Sequence, residues 1–247
     1  MGQIRTPGGA ALEYETFGSP GDPPLMLVSG LGAQLVAWPR PFCESLAAEG
    51  RFVIAFDNRD CGLSSKIDDR AGVLPSVVEA AMSGDFALAR EPAPYTLSDM
   101  SDDALALLDS LGIGRAHVVG ASLGGAIAQT MAIEHPERLL SLTSVMPSTG
   151  EPDFGQSTPE ALQVLLDPPP RDRDEYIATA EKTLVWRSRT YPDLDSARKV
   201  AAESYDRCFH PEGTARQRIT RRPTAPDDRA NPGNSWTRRY ADHPERG

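Results

Sequence analysis

The chain is poor in lysine, with three against 22 arginines, and carries only three cysteines in 247 residues. Cys43, Cys61 and Cys208 are odd in number and scattered. That excludes a disulfide framework and points to a reducing compartment, so a cytoplasmic location is expected. No stretch approaches the roughly 20 apolar residues that a bilayer span needs, and the first nine residues lack the apolar run of a secretory signal. Neither membrane insertion nor export is expected. Four isolated histidines and three isolated cysteines offer no metal-ligand spacing. No metal and no cofactor is implied. Basic residues are outnumbered 25 to 35, and the net charge of −10 argues against nucleic acid as a partner.

What remains is an ordinary globular composition, 40% hydrophobic and 24% charged, of a length that suits one domain with an insertion. Charge is uneven along it. Residues 211–247 hold eight Arg, three Asp and two Glu, a net of +3, which leaves −13 for residues 1–210.

Residues 2–18 read as two short strands around Gly8-Gly9, with half-buried alternation from Ala11 to Phe17. Leu25-Met26-Leu27-Val28 and Phe52-Val53-Ile54-Ala55-Phe56 are unbroken apolar runs, the pattern of strands covered on both faces. Residues 40–49 read as a helix between them. Thr96 with Asp99 three residues on is a helix start, and Leu97, Met100, Ala104, Leu107, Leu108 and Leu111 give that helix one apolar face, ended by Gly112. Ala116-His117-Val118-Val119 is a third buried strand, 123–135 a helix stopped by Pro136, and Leu140 to Met146 a fourth strand. Strands alternating with helices imply a mostly parallel sheet with helices on both faces, an α/β fold. Residues 150–210 break the rhythm. They are acidic, with helical candidates at Glu160 to Leu166, Asp174 to Arg187 and Asp193 to Tyr205, and read as an inserted lid.

The chemistry centres on Gly120-Ala121-Ser122-Leu123-Gly124. A G-x-S-x-G is a weak signal alone, but here a strand runs directly into it and a helix leaves directly from it, as a nucleophile elbow requires. Gly120 and Gly124 remove side chains that would collide at the bend, and the helix N-terminus favours developing negative charge. The alternative is a glycine-rich turn with an incidental serine. A second element, Val28-Ser29-Gly30-Leu31-Gly32, follows the first buried strand. With an elbow serine, such a loop supplies one oxyanion donor and the residue after the nucleophile the other, here the backbone N–H groups of Leu31 and Leu123. A dinucleotide-binding loop is the competing reading, but Leu35 stands where its third glycine belongs.

Ser29-Gly30-Leu31-Gly32, Asp57-Asn58-Arg59-Asp60-Cys61-Gly62-Leu63-Ser64 and the serine motif, in that order, resemble the α/β-hydrolase fold superfamily. The middle segment is similar to the branch of aclacinomycin methyl esterase-like carboxylesterases. The resemblance covers residues 10 to 148 well and the lid loosely. It implies a core over 1–149 and a helical lid over 150–210, whereas residues 211–247, with five prolines and eight arginines, are not family-like and read as an irregular or disordered tail. It also implies that Asp57 and Arg59 are structural, and it departs from the family at Ser29, where a histidine is frequent.

A serine nucleophile needs a base and an acid, which in this superfamily follow it on loops after two further strands. Residues 211–247 hold only Ile219, Trp236 and Tyr240 as large apolar residues, against thirteen in 111–147, so no buried strand fits there. His117 reads as a sheet residue, His135 as a helix-end residue and His210 as the lid's edge. His243 alone has the right chain order, and Asp153, Asp227 and Asp228 are equally slender choices for the acid, so none is assigned. The last strands of the core are missing on this reading, through truncation or a frame shift near Arg216, or in a short variant that borrows its edge from a partner. The strand Leu140 to Met146 is then an unpaired edge, and self-association is expected. The functions weighed are hydrolysis of a small-molecule carboxylic ester through an acyl-enzyme on Ser122, a catalytically impaired fragment or pseudoenzyme, and a haloperoxidase or lactonase on the same serine. Trp38, Trp186, Tyr205 and Phe209 line a pocket or simply pack.

Overall fold

The computed structural model describes residues 1–67, 94–147, 157–186 and 190–218. Six strands form one sheet: β1 (Gly2–Arg5), β2 (Ala11–Phe17), β3 (Pro24–Val28), β4 (Phe52–Phe56), β5 (Ala116–Ala121) and β6 (Leu139–Val145), in the order β1-β2-β4-β3-β5-β6. The two pairings at the β1 end are antiparallel, and β4, β3, β5 and β6 run parallel. The mostly parallel α/β sheet expected from the alternating elements is therefore present. The two unbroken apolar runs are its centre. β4 is buried at all five positions, and β3 at four of its five.

Helix α1 (Arg40–Ala48) lies on one face against β2 and β4. On the other face lie α2 (Leu97–Ser110) and α3 (Leu123–Glu134), and the main core forms between them and the sheet around Met26, Ile54, Phe56, Leu107, Val118 and Ile127. The start of α2 is fixed as its sequence requires. The Asp99 backbone N–H donates to the Thr96 hydroxyl, and the Asp99 carboxylate accepts from the Thr96 backbone N–H at 2.7 Å, a reciprocal capping box.

Beyond β6 the described chain forms α4 (Pro159–Leu166), α5 (Arg173–Ala178), a 3-10 segment (Thr179–Trp186), α6 (Leu194–Arg207) and α7 (Pro211–Arg218). Two expectations differ here. The single helix expected from Asp174 to Arg187 is α5 followed by the 3-10 segment. The hydroxyls of Thr179 and Thr183 donate to the carbonyls of Tyr176 and Ala180, three residues back, and tighten the turn there. Arg187 lies outside the described residues. The second difference concerns the tail. Its first eight residues are the helix α7, opening on Pro211, a residue suited to the first helical turn. Apolar periodicity could not show it, because α7 is held by buried polar side chains rather than an apolar stripe.

Among the described residues β6 is a sheet edge, and Leu140, Val145 and Met146 are 43, 43 and 59% exposed. Three aromatic residues of α5, α6 and the turn after it pack on one another, whereas Trp186 and Tyr191 are exposed. Tyr176, Tyr205 and Phe209 have centroids 4.7 to 5.5 Å apart, and Trp38 stacks on Phe42.

Candidate active site

Strand β5 ends at Ala121 and α3 begins at Leu123, so Ser122 alone makes the turn between them. It does so at φ 53° and ψ −119°, a backbone conformation that costs a non-glycine residue on the order of 1–3 kcal/mol. The surroundings hold it there. The Ser122 N–H donates to the Val145 carbonyl of β6 at 2.8 Å, and the Ser122 carbonyl accepts from Ala126 N–H at 3.2 Å. The glycines of the motif are sterically required. A Cβ on Gly120 would lie 2.2 Å from the Gly124 carbonyl oxygen, and one on Gly124 would lie 2.1 Å from that of Val28. These contacts press the start of α3 against the end of β3, which brings the loop after β3 to the serine. A Cβ built on Gly30 would lie 3.8 Å from Ser122 Oγ. Ser122 itself is half-buried.

That loop is a tight turn. Ala33 N–H donates to the Gly30 carbonyl at 3.1 Å and Gly32 N–H to Gln217 Oε1 at 2.8 Å. Among the described residues the Leu31 N–H has no acceptor. As the first residue of α3, Leu123 cannot find an intrahelical acceptor for its N–H either. Leu35 lies in a three-residue 3-10 turn, Leu35–Ala37, and not in a helix opening on the glycine loop, so the dinucleotide geometry is not formed.

The segment after β4 ties these loops together. Asp57 is fully buried; its Oδ1 accepts from Leu35 N–H at 2.7 Å and its Oδ2 from Leu63 N–H at 2.8 Å and from Arg207 Nη1 at 2.6 Å. Asn58 Nδ2 donates to the carbonyl of Ser29, the residue that stands where a histidine is frequent. Arg59 forks onto Asp103 at 2.6 and 2.8 Å and lies over the Tyr95 ring. Asp57 and Arg59 are thus structural, as expected. Burial pushes the Cys43 thiol up to about 11 and raises that of Cys61 further, so neither is a thiolate near neutrality and the hydroxyl of Ser122 is the candidate nucleophile.

The described histidines stand elsewhere. His117 Nδ1 is 2.7 Å from Ser141 Oγ across β5 and β6, and His135 faces Asp102 at 3.5 Å. His210 Nε2 lies 2.9 Å from Arg216 Nη2. Among the described residues no histidine or carboxylate is hydrogen-bonded to Ser122 Oγ. Asp153, Asp227, Asp228 and His243 lie outside the described residues. No group of three or more His, Cys, Asp or Glu among the described residues is placed to hold a metal ion, and no described helix is long and apolar enough to cross a membrane.

One functional feature was not read from the sequence. The last turns of α6 and the helix α7 clamp the loops after β3 and β4. Gln34 Nε2 donates to the carbonyls of Ser204 and Cys208, Arg207 donates to Gln34 Oε1, and Arg216 forks onto Asp60. The signal available was the pair of acids, Asp57 and Asp60, just after the unbroken apolar run of β4; acids carried into the interior at such a strand end require partners.

Residues 23–197 match the family model of the alpha/beta hydrolase fold. Rhodomycin D methylesterase DauP of Streptomyces sp. (strain C5) is 40% identical over 149 residues, which is 60% of this chain and 43% of the methylesterase. Rhodomycin D methylesterase DnrP of Streptomyces peucetius is 39% identical over the same length and shares. The chain therefore spans about two-fifths of the length of these curated relatives. Among solved structures, the enol-lactonase from Burkholderia xenovorans LB400 superposes with a TM-score of 0.57 at 23% identity, covering 88% of this chain and 72% of that one. A meta-cleavage product hydrolase from Pseudomonas fluorescens IP01 gives 0.60 at 20%, covering 89% and 71%. These two likenesses speak to the fold. With a matched family model over most of its length and the elbow in place, the chain belongs to the α/β-hydrolase fold family.

Proposed function

We propose that this chain carries the nucleophile half of a serine hydrolase acting on small-molecule carboxylic esters. Ser122 Oγ gives up its proton and attacks the acyl carbon, the N–H groups of Leu31 and Leu123 hold the oxyanion, the ester C–O bond breaks and the alcohol leaves with a proton, and water then hydrolyses the acyl-enzyme to release the acid and restore the serine. The observation that carries the reading is the strained Ser122 at the β5–α3 junction with the Gly30 turn against its side chain. The unengaged Leu31 N–H supports the choice of donor. The relatives named as methylesterases make a methyl ester the first substrate to try, and the three unpaired cysteines fit a cytoplasmic setting.

A second reading, an impaired fragment that binds without turnover, is favoured by one observation: among the described residues Ser122 has no base. Triad members act as a unit, and a serine lacking its base loses orders of magnitude in rate. A fluorophosphonate probe decides between them. Rapid labelling that disappears in Ser122→Ala supports the hydrolase, and absence of labelling supports the fragment.

A further inference from the structure

The turn that carries Leu31 has a feature its own residues do not explain. Its first carbonyl, Gly30, accepts from Ala33 N–H at 3.1 Å, which defines a four-residue β-turn with Leu31 and Gly32 at its centre. Gly32 has φ +64°, whereas Leu31 is not among the non-glycine residues with positive φ. That combination is a type II turn. Types I and II differ by a flip of the central peptide, here the Leu31 carbonyl with the Gly32 N–H, while the ends of the turn stay in place. Something must select one orientation.

The selector lies 185 residues away. Gln217, 2% exposed on α7, accepts from Gly32 N–H through Oε1 at 2.8 Å and donates from Nε2 to the Arg59 carbonyl at 2.9 Å. Its amide is therefore used at both ends and cannot rotate without losing one bond inside the protein. Thr214, one turn earlier on α7, fills the space where a side chain on residue 32 would stand, 2.5 Å from the Cβ position. Arg216, between them, is anchored to the buried Asp60.

We infer that Gln217 is a positioning residue for the oxyanion loop: by holding the Gly32 N–H it anchors the turn at the residue next to Leu31 and so restrains the Leu31 N–H relative to Ser122. The inference rests on the hydrolase reading above. Misplacement of a transition-state donor is costly; outright loss of one oxyanion donor lowers kcat by roughly 10²–10³. Release of the peptide that adjoins the donor is expected to give a smaller effect, a fall in kcat of about tenfold with KM little changed, because the ground-state ester does not use the donor fully.

The test combines amide hydrogen exchange at Gly32, read by NMR on the full chain, with ester turnover and fluorophosphonate labelling. Gln217→Met removes both bonds at similar volume, and faster Gly32 exchange with a fall in kcat at constant KM is the expected result. Unchanged exchange overturns the inference, and so does faster exchange with unchanged kcat, since Gln217 would then be structural only. Should the methionine variant fail to fold, Gln217→Asn, which keeps the amide but is one methylene shorter, takes its place: faster Gly32 exchange with a lower kcat at constant KM is expected, and unchanged exchange or unchanged kcat overturns the proposal. If the wild-type chain shows no Ser122-dependent labelling, the hydrolase reading fails and the catalytic role falls with it. The exchange data still report separately whether the Gln217–Gly32 bond exists.

Discussion

Asp60 and Arg216, 156 positions apart, form a two-point ion pair at 2.7 and 3.0 Å with side chains 0 and 3% exposed. The pair sits where the loop after β4 meets α7, and Asp60 Oδ1 also accepts from Ile67 N–H. Removing one partner leaves an uncompensated buried charge, which costs about 3–5 kcal/mol. Arg216→Met is therefore expected to lower the denaturant midpoint severely. Asp60→Asn combined with it should cost less than the two single losses added, because the double variant buries no unpaired charge. Additive losses would show that the two side chains do not interact.

The elbow makes a steric prediction. A methyl group on Gly124 would lie 2.1 Å from the Val28 carbonyl oxygen, a backbone atom that cannot swing aside. Gly124→Ala is expected to destabilise by about 3 kcal/mol, the upper end of ordinary overpacking, and to abolish probe labelling of Ser122. Gly114→Ala is the control, since nothing stands within 4 Å of the Cβ position there. Equal effects of the two in urea denaturation would remove the argument for a tight elbow.

His210 makes a prediction in pH. Burial first, then the neighbouring cations Arg216 and Lys66, hold its pKa below the ordinary histidine value against the pull of Asp60 and Glu212. Geometry agrees. Arg216 has no acceptor, so Nε2, 2.9 Å from it, carries no proton and the ring is neutral with its proton on Nδ1. With the folded pKa below the unfolded one, the unfolded chain binds more protons between the two. Stability is thus full above about pH 6.5 and falls as the pH drops from there toward the folded value. His210→Gln should flatten that acidic slope in thermal melts taken from pH 7 downward, and an unchanged slope would contradict the neutral ring.

Among the described residues β6 has no neighbour on its outer side, and that predicts association. β6, Leu-Leu-Ser-Leu-Thr-Ser-Val, contains no charge and no proline, the devices that keep edge strands apart. We expect concentration-dependent dimers or larger species in sedimentation velocity, formed by pairing of this strand with its copy in a second chain. Thr143→Lys is expected to reduce them. A monomer at all accessible concentrations would refute the pairing.

How far the sequence could be read depended on what kind of force holds each part. β3 and β4 declared themselves because parallel strands covered on both faces are written as unbroken apolar runs. The start of α2 was legible in Thr96 and Asp99 because a capping box is a purely local device. Ser122 was legible for a related reason: the glycines that permit its bend stand two residues to either side. The clamp of Gln34, Arg207, Arg216 and Gln217 was not. Its partners are separated by more than 150 residues, and polar side chains on a short arginine-rich helix carry no periodic signature. The eight residues of α7 were accordingly read as irregular chain.

The bond from the Ser122 amide to the Val145 carbonyl has a consequence beyond the strain it sustains. Among the described residues, it fastens Ser122, the candidate nucleophile, to the edge strand of the sheet. A displacement of β6 therefore reaches the Ser122 backbone through a single hydrogen bond.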